Sequence, residues 1–340
     1  MKTMSGQDQK IMEVLINSNQ KRTKQIMSSY LRKQYPNVIE TKDYIIVEGT
    51  IPVCIVSHMD TVFEDSVTRY GRDLYYDEKH NVMFSPYGAG FDDKAGLFAI
   101  IQLVRSGLRP HIILTTDEER GALGASEISK LECPFDDIRY FIQLDRRGSN
   151  DCVFYDCDNK EFTEYVESFG FVQNYGTFSD ISEICPSWGI AGVNLSVGYD
   201  NEHSESETLN VGQLLSTIKK VKRMLNDARN APQFKFILNP ISWYRWGRGV
   251  YAAYGSPEDT SVEKCHFCGK YFMEEEMFPI VLSDMSTATC CPNCVAEHVA
   301  WCNSCNNAYE KASPDAPSTG LCPICLETEE AVVNGSAKQD

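Results

Sequence analysis

Apolar residues recur at helical spacing near the start of the chain. Ile11, Leu15, Met27 and Leu31 mark this spacing within residues 8–34, which end just before a Tyr-Pro pair. Apolar positions three or four residues apart form one face of a helix, and a proline stops a helix from continuing. The pattern therefore predicts one or two opening helices.

Beyond these helices, short β-branched runs alternate with longer helical patterns. Strands are predicted at residues 41–49, 52–58, 111–119, 140–146 and 192–199. Residues 94–107 and 211–227 instead carry apolar side chains at helical spacing. Such alternation is typical of a largely parallel sheet that is covered by helices. We therefore expect an α/β fold with a mostly parallel central sheet flanked by helices.

The composition suits a core-forming chain of more than one domain. Its 340 residues exceed one ordinary core, and 42% of them are hydrophobic. Lys and Arg total 32 against 48 Asp and Glu, so the net charge of −16 disfavours a nucleic-acid partner. No run approaches the roughly 18 apolar residues of a membrane span, and the first residues lack the apolar stretch of a secretory signal. We expect a cytoplasmic protein without a membrane partner.

The 14 cysteines are distributed unevenly. Five are scattered through residues 1–264, and nine lie in the last 76 residues. In a chain without a secretory signal, closely spaced Cys-x-x-Cys pairs indicate zinc sites rather than a disulfide framework. We interpret the five scattered cysteines as reduced core thiols.

The cysteine-rich region, with the loss of periodicity before it, divides the chain. We predict an α/β domain at residues 1–232 and an aromatic-rich linker at 233–262. A small Cys-rich zinc-binding domain follows at 263–327, and residues 328–340 are predicted to be a flexible tail.

Ligand-type side chains follow the predicted strands or open a predicted helix at five places. These side chains are His58 with Asp60, Asp92 with Asp93, Glu118 with Glu119, Asp145, and His203. In an open α/β sheet the strand ends and helix starts meet at one edge, where ligands collect. Each group alone is more often structural, as a loop histidine or a helix-capping aspartate. Together they suit a pair of zinc ions that share one carboxylate.

The order His-x-Asp, Gly-x-Asp-Asp-Lys-x-Gly, Asp-Glu-Glu-x-Gly, strand-end Asp and late His resembles the co-catalytic di-zinc exopeptidases. That group includes peptidase T, the glutamate carboxypeptidases and the bacterial zinc aminopeptidases. The resemblance covers roughly residues 40–225. It implies that the first zinc is bound by His58, Asp92 and Asp145, and that the second is bound by Asp92, Glu119 and His203.

The resemblance also implies roles for the neighbouring residues. Glu118 would be the general base that takes a proton from the zinc-bridging water, and Asp60 would be the carboxylate behind His58. The peptide bond between Asp92 and Asp93 would be cis. The implied reaction is metal-assisted hydrolysis of an amide bond.

The chain departs from those relatives that carry a lid domain between the last two ligands. Asp145 and His203 are too close in sequence to enclose one, which favours the lidless aminopeptidase arrangement. The expected substrate is a peptide or an acylated amino acid that is trimmed from one end. Four acids flank His203 and could hold a substrate's α-amino group or could be solvated. They are Asp200, Glu202, Glu205 and Glu207.

The cysteine-rich region contains four Cys-x-x-Cys pairs, a strong zinc signal. The pairs are Cys265 with Cys268, Cys291 with Cys294, Cys302 with Cys305, and Cys322 with Cys325. We favour sequential pairing into two four-cysteine sites of a double zinc ribbon, which leaves Cys290 over. The alternative is a cross-braced, RING-like arrangement that recruits His298 and releases Cys291.

Two functions follow from these features. The first is a zinc-dependent exopeptidase, with an aminopeptidase favoured and an acyl-amino acid amidohydrolase still open. It would carry two catalytic zinc ions, replaceable by cobalt or manganese, and two structural ones. The second is a catalytically inactive core that serves as an adaptor through its zinc-ribbon or RING-like tail. In either case the tail would bind an unknown protein partner.

Overall fold

The computed structural model describes residues 3–64, 72–238, 262–269, 271–273, 277–305, 307–311 and 320–326. The chain divides into two compact units, Met1–Ser242 and Trp243–Asp340. Most of the predicted linker, at 239–261, and the predicted tail lie outside the described residues.

The first unit opens with two helices, as the apolar spacing predicts. Its described helices are α1 (Gly6–Ile16), α2 (Gln20–Leu31), α3 (Phe91–Arg105), α4 (Leu123–Ser129), α5 (Lys160–Glu167), α6 (Asp180–Trp188) and α7 (Val211–Asp227), with a 3-10 turn at Glu118–Arg120. The side chains of Ser5 and Asn19 accept hydrogen bonds from first-turn backbone N–H groups of α1 and α2, which fixes where these helices start.

The strands of the first unit form two sheets. They are β1 (Val38–Glu40), β2 (Tyr44–Val47), β3 (Ile51–His58), β4 (Tyr75–Asp77), β5 (Val82–Phe84), β6 (Pro110–Thr115), β7 (Tyr140–Arg146), β8 (Asp151–Val153), β9 (Val172–Gln173), β10 (Gly192–Ser196), β11 (Tyr199–Asp200) and β12 (Thr208–Asn210).

The large sheet has eight strands in the order β1-β2-β6-β3-β7-β10-β8-β9. Its four central strands, β6, β3, β7 and β10, are mutually parallel, whereas β2 and β8 join them in antiparallel fashion. The expected α/β fold with a largely parallel central sheet is therefore confirmed, with antiparallel strands added at its flanks.

Both faces of the large sheet are covered by helices. Residues 53–58 of β3 and 110–115 of β6 are buried throughout, as strands between two helical layers must be. Helix α3 packs with the apolar cluster on one face, and α4 and α6 pack with the cluster on the other. Because the four central strands are parallel, their carboxyl ends lie at one edge of the sheet.

A second, antiparallel sheet has the order β11-β12-β5-β4. It was not among the predicted elements. The sheet matters because the segment between β11 and β12 carries His203.

The end of the predicted α/β domain extends beyond residue 232. Lys235 forms a bridge with Ile190, and Leu238 forms one with Cys157. Phe234 is buried in the core of the first unit. The first six residues of the predicted linker thus pack on the sheet domain.

The described part of the second unit consists of short strands and helical segments around cysteine residues, with residues 323–326 helical. It contains β13 (Val262–Lys264), β14 (Tyr271–Met273), β15 (Phe278–Val281), β16 (Thr287–Cys290), α8 (Pro292–His298), β17 (Val299–Trp301) and β18 (Ala308–Glu310). Strands β13 and β14 pair with each other, and the other four form a sheet in the order β16-β15-β18-β17.

Within the described ranges, none of the helices has the length and apolar character needed to cross a membrane.

Candidate metal centre

The carboxyl edge of the parallel strands gathers the side chains that the sequence singled out. His58 is the last residue of β3, and Asp145 lies one residue from the end of β7. Glu118 and Glu119 begin the 3-10 turn that follows β6, while His203 lies in the loop after β11. Asp92 reaches the same place from the start of α3.

The first ligand set consists of His58, Asp92 and Asp145, and its three ligand atoms lie within 4.8 Å of one another. Nε2 of His58 lies 3.0 Å from Oδ1 of Asp92 and 3.6 Å from Oδ1 of Asp145. The imidazole of His58 is fully buried.

The second ligand set consists of Asp92, Glu119 and His203, whose ligand atoms also lie within 4.8 Å of one another. Nε2 of His203 lies 3.3 Å from Oδ2 of Asp92 and 3.0 Å from Oε2 of Glu119. Asp92 therefore offers one oxygen to each set. The side chain of His203 is 51% exposed, so the second set is the one open to solvent.

The spacing of these atoms fits tetrahedral zinc. Zinc binds imidazole nitrogen and carboxylate oxygen at about 2.0–2.1 Å, so two of its ligands lie about 3.3 Å apart. Each Nε2 faces two carboxylate oxygens at close to this separation, whereas an ion pair through one N–H needs only one. In addition, the buried Oε1 of Glu119 has no hydrogen-bond partner among the described residues. These donors are chemically suited to two divalent cations.

The electrostatics of the centre also indicate a shortage of positive charge. Burial raises the pKa of Asp145 to about 7, and the nearby charge of Asp92 adds to the increase. Hydrogen bonds with Asp92 and Glu119 raise the pKa of His203 to about 11. Burial opposes ionisation of Asp92, but its hydrogen bonds with His203 and His58 outweigh burial and hold its pKa far below the usual range. A bound cation would compensate the carboxylates that the two imidazoles share.

Asp60 lies behind His58 and organises the adjoining turn. Its Oδ1 is 3.3 Å from Nδ1 of His58, so Nε2 is left to face the first ligand set. The two carboxylate oxygens also accept the backbone N–H groups of Glu118 and Glu119, both at 3.1 Å. The carboxylate of Asp60 thus orients His58 and also holds the turn that carries Glu118 and Glu119.

The carboxylate of Glu118 makes no hydrogen bond or ion pair with any residue that the structure describes. Burial raises its pKa well above the ordinary value, although the nearby His58 acts in the opposite direction. A carboxylate held by its backbone but unpartnered at its oxygens is available to a water molecule or a substrate.

Asp145 is held by three side chains, none of which was predicted as part of the site. Tyr199 donates its hydroxyl to Oδ1 at 3.0 Å, and Ser179 donates to Oδ2 at 3.0 Å. Gln143 donates an amide N–H to Oδ2 at 3.2 Å. A tyrosine in a strand has the sequence pattern of a core residue, so the apolar periodicity carries no signal for this role.

Glu207 is buried, which corrects the expectation that it could belong to an acidic rim. Its carboxylate accepts the backbone N–H groups of Gly90 at 2.5 Å and Asp92 at 3.0 Å. Burial raises its pKa to about 7. The loop that supplies His203 therefore also fixes the backbone of the shared Asp92.

The other three acids near His203 remain at the surface. Asp200 and Glu205 are exposed, and Glu202 forms an ion pair with Arg147 at 3.0 Å. Of the four acids, Asp200 and Glu205 are therefore the ones that are open to solvent.

The start of α3 is fixed by Asp93, and the peptide bond that joins it to Asp92 is cis. One carboxylate oxygen of Asp93 accepts the hydroxyl of Ser57, and the other accepts the backbone N–H of Gly96 at 2.9 Å. A β-carbon on Gly96 would lie 2.3 Å from the carbonyl oxygen of Leu144, so only glycine allows α3 to approach β7 this closely.

Asp180 is fully buried at the start of α6. Its carboxylate accepts the hydroxyl of Thr115 at 2.6 Å. Burial raises its pKa to about 7.

A cavity of about 520 Å³ adjoins the second ligand set. Asp60 and Glu119 line it together with polar residues from the start of α2 and from the loop after β3. The centre is therefore reachable from solvent on this side.

The second unit brings the eight paired cysteines together in two groups. The first cysteine cluster is Cys265, Cys268, Cys291 and Cys294, and the second is Cys302, Cys305, Cys322 and Cys325. This is the sequential grouping that the sequence favours.

The sulfur separations fit metal sites rather than disulfides. Sγ of Cys268 lies 3.8 Å from Sγ of Cys291, and Sγ of Cys305 lies 3.7 Å from Sγ of Cys322. Zinc binds thiolates at about 2.3 Å, which places two sulfurs of a tetrahedral site about 3.8 Å apart. Backbone N–H groups outweigh the effect of burial and lower the pKa of Cys265 to about 6.

The RING-like alternative would require His298 to join a cysteine cluster and Cys291 to leave one, and the structure shows neither. His298 stacks on Phe267 with ring centroids 4.4 Å apart, and Cys291 belongs to the first cysteine cluster. Cys290 is buried outside both clusters.

Solved structures of similar fold are found among peptidases. A TET aminopeptidase from the marine sediment archaeon Thaumarchaeota archaeon SCGC AB-539-E09 has a TM-score of 0.53 and 13% identity over 67% of this chain and 98% of its own. A tripeptidase from Staphylococcus aureus has a TM-score of 0.50 and 14% identity over 67% and 100%. The aminopeptidase APDkam598 from Desulfurococcus kamchatkensis has a TM-score of 0.50 and 13% identity over 73% and 99%. Neither a protein-family model nor a curated protein matches the chain. At these identities the likeness concerns the fold.

Proposed function

We propose that the chain is a metal-dependent exopeptidase that removes residues from the amino end of peptides. The proposal is carried by one arrangement: two ligand sets that share Asp92, with the unpartnered carboxylate of Glu118 beside them. The fold likeness to a TET aminopeptidase and a tripeptidase supports the same reaction class.

His58, Asp92 and Asp145 would hold one divalent cation, and Asp92, Glu119 and His203 would hold the other. Two such cations supply Lewis acidity to the scissile carbonyl and make an attacking water acidic enough to lose a proton near neutral pH. Nitrogen and carboxylate donors suit zinc, and cobalt or manganese can take the same ligands.

Glu118 then acts as the proton carrier of the reaction. Its carboxylate would accept a proton from the attacking water and return it to the leaving amine. Because burial raises its pKa, the protonated form is accessible once the proton has been taken. Asp60 holds the backbone N–H of Glu118 and keeps the carrier beside the ligand sets.

Attack at the amino end is favoured by the charges around the open second set. Asp200 and Glu205 are exposed near His203, and a free α-ammonium group complements them. The described part of the first unit contains no inserted domain between Asp145 and His203.

The two cysteine clusters would hold structural zinc and keep the second unit folded. Small polar modules of this size depend on metal for their stability, and they mostly bind other proteins. An adaptor function for this unit is compatible with hydrolysis by the first.

The test is hydrolysis of a peptide pool with free or blocked termini by the full chain, after loading with zinc, cobalt or manganese. We expect release of the first residue from peptides with a free amino group and none from amino-blocked ones. Mass spectrometry of the products and metal analysis of the protein measure both properties.

The metal content should be about four ions per chain, two in each unit. Two tightly held ions without hydrolysis of any peptide or acyl-amino acid would instead support the inactive adaptor. Release of the last residue would retain the peptidase and reverse the end that it attacks.

A further inference from the structure

Strand β7, which carries Asp145, changes its register with β10 where this residue lies. Asn194 of β10 pairs with Gln143 of β7. Ser196, two residues further along β10, pairs with Arg146, three residues further along β7. Two residues of β7, one of them Asp145, therefore face a single residue of β10. Such an irregularity is a β-bulge, which is rare between parallel strands and gives the side chains at its position a new direction.

The side chain of Asn194 replaces the missing backbone pairing at this bulge. Pairing of β7 with β3 ends at Gln143, and neither neighbouring strand includes Asp145 in its register. Oδ1 of Asn194 accepts the backbone N–H of Asp145 at 3.0 Å, and Nδ2 donates to the carbonyl of Asp145 at 2.7 Å. Buried backbone groups have to be paired, and here one amide pairs both groups of one residue. We call these two hydrogen bonds the Asn194 clamp.

The surroundings of Asn194 favour a single orientation of its amide. The residue is only 1% exposed, so water does not replace its partners. Nδ2 also donates to the hydroxyl of Tyr155 at 2.8 Å, which engages its second N–H. If the amide were turned over, its oxygen would face the carbonyl of Asp145 and its N–H groups would face the backbone N–H. The amide therefore holds the backbone of Asp145 in one geometry.

The Asn194 clamp complements the contacts that hold the carboxylate of Asp145. The hydroxyls of Tyr199 and Ser179 donate to its two oxygens. These bonds set the direction of the carboxylate only if the backbone from which it extends is also fixed. Oδ1 of Asp145 lies 3.6 Å from Nε2 of His58, close to the spacing of two ligands on one zinc ion. Metal sites require such positions to be held within about 0.5 Å.

We infer that Asn194 is a positioning residue of the first ligand set, which holds the bulge of β7 and thereby directs Asp145 at the metal ion. This inference rests on the proposed function, since it assigns a role at the same centre, but it concerns metal binding and not hydrolysis. Residues that orient a ligand from behind contribute about 10- to 100-fold to metal affinity. The second ligand set does not contain Asp145, so its affinity should change less.

The test is a cobalt titration of the full chain with zinc in its cysteine clusters. Thiolates favour zinc, which also binds more tightly than cobalt, so cobalt enters the nitrogen and oxygen sites of the first unit. Calorimetry measures the two cobalt affinities, and the visible absorption of cobalt reports on the geometry of its ligands. Asn194→Ala should weaken one affinity by about 10- to 100-fold, alter the absorption and leave the other affinity within a few-fold of wild type.

Asn159→Ala is the matched control. Asn159 is 7% exposed at the start of α5, where its Oδ1 accepts the backbone N–H of Phe162 at 3.1 Å and its Nδ2 donates to the carbonyl of Lys235 at 2.9 Å. This variant loses the same two kinds of contact outside both ligand sets. It should lower the melting temperature and retain both cobalt affinities. If Asn194→Ala also lowers only the melting temperature, Asn194 merely stabilises the fold and the inference is wrong.

Tyr155→Phe provides a second measurement, which decides the question if Asn194→Ala does not fold. The variant removes one acceptor of the Asn194 amide, which loosens its orientation but leaves the amide in place. We expect one cobalt affinity to fall by a few-fold. In that case, unchanged cobalt binding by Tyr155→Phe overturns the inference.

Failure of the proposed function gives a different result. If the wild-type chain binds two cobalt ions in its first unit but hydrolyses no peptide, the exopeptidase activity is wrong. Loss of one affinity in Asn194→Ala then still supports the Asn194 clamp. A wild-type first unit that binds no cobalt overturns both.

Discussion

Glu118 and Glu119 are neighbours in the chain, yet their carboxylates have different surroundings. Oε2 of Glu119 lies 3.0 Å from Nε2 of His203, whereas the carboxylate of Glu118 has no partner among the described residues. A ligand must keep its lone pairs directed at one point, and a proton carrier must be free to bind and release. Asp60 would support the two roles proposed for these residues because it holds both backbone N–H groups.

Replacing Glu118 with glutamine should abolish most turnover and leave the metal content unchanged. The amide cannot accept the proton of the attacking water, and positioned proton carriers contribute about 10²- to 10⁴-fold. Steady-state kinetics and metal analysis of the same preparation measure the two effects.

Glu119→Gln is the informative comparison, since it weakens a ligand instead of a proton carrier. We expect it to lower the metal content of the first unit. The exposed Glu127→Gln on α4 should change neither property. A Glu118→Gln chain with near wild-type turnover would remove the role assigned to Glu118.

Glu207→Ala should destabilise the first unit and weaken metal binding. The backbone N–H groups of Gly90 and Asp92 would lose a buried charged acceptor, at a cost on the order of 3 kcal/mol. This corresponds to roughly 6–12 °C in melting temperature for a domain of this size. Thermal unfolding and metal titration test the two effects.

Glu205→Ala serves as the control, because Glu205 is exposed two residues away. We expect its melting temperature to stay within a degree or two of wild type. If the melting temperature of Glu207→Ala equals that of Glu205→Ala, the two backbone contacts do not stabilise the start of α3.

The ligand-type side chains that meet at the carboxyl edge stand out in the sequence, whereas several residues that hold them in place do not. His58 and Asp145 are polar residues at the ends of apolar strands, a local pattern that stands out. Tyr199 and Glu207 resemble an ordinary strand tyrosine and one acid within an acidic run. The pairing of β12 with both β11 and β5 places Glu207, the residue before β12, at the start of α3.

At the scale of elements, each central strand packs in the core along most of its length, and its carboxyl end lies beside the metal centre. Strand β6 begins at Pro110 with His111 buried against Phe135, with ring centroids 4.2 Å apart. It ends at Thr115, just before the turn that carries Glu118. The stability of this strand therefore bears on the position of the turn.

The pH dependence of stability should include a contribution from His111 below about pH 6.5. Its Nδ1 accepts the backbone N–H of Gly49 at 3.1 Å, and burial lowers the pKa of the imidazole. The unfolded chain binds a proton near the ordinary pKa, whereas the folded chain resists it. Stability is therefore unaffected above this range and falls as the pH drops through it.

His111→Asn is expected to reduce that loss, because the amide oxygen can still accept from Gly49 and does not titrate. Melting temperatures at pH 7.5 and 5.5 for both proteins give the comparison. An equal loss in wild type and variant would show that His111 is not responsible.

The long elements could be predicted and the short ones could not. Helices α3 and α7 span 15 and 17 residues, enough for several turns of apolar spacing. Helix α4 has seven residues, and α6 contains Pro186, so neither carries a strong periodic signal. The small antiparallel sheet has strands of two or three residues, which leave almost no pattern.

At the scale of the whole molecule, the two units bring together metal-ligand groups by different means. The first gathers nitrogen and oxygen donors from distant parts of the sequence, while the second uses cysteines that are close in sequence. The donor chemistry therefore differs between an open, polar centre and closed thiolate sites.

Replacing Cys322 and Cys325 together with serine should remove one metal ion per chain and leave hydrolysis intact. The second cysteine cluster would lose half of its thiolates, whereas the first cysteine cluster and the ligand sets would keep theirs. Metal analysis and kinetics on the same sample measure both.

Cys290→Ser is the matched control, because this buried cysteine lies outside both clusters. It should retain the full metal content. Loss of two ions from the double variant would indicate that the clusters share ligands, as in a cross-braced module.

The cysteine distribution indicates that the chain has two units. The residue at which the first unit ends could not be predicted from it. Loss of periodicity placed that end at residue 232, while Lys235 and Leu238 still pair with the sheet domain. Single bridging residues add to a fold through backbone hydrogen bonds, which no side-chain pattern reports.

The sequence separation of the candidate ligands has a consequence for folding during translation. His58 and His203 must both be present before the shared Asp92 faces two imidazoles, and Glu207 must follow before its backbone is fixed. A nascent chain on the ribosome thus lacks the complete candidate metal centre until nearly all of the sheet domain has emerged. Each cysteine cluster, in contrast, is finished within a few tens of residues and can close during translation.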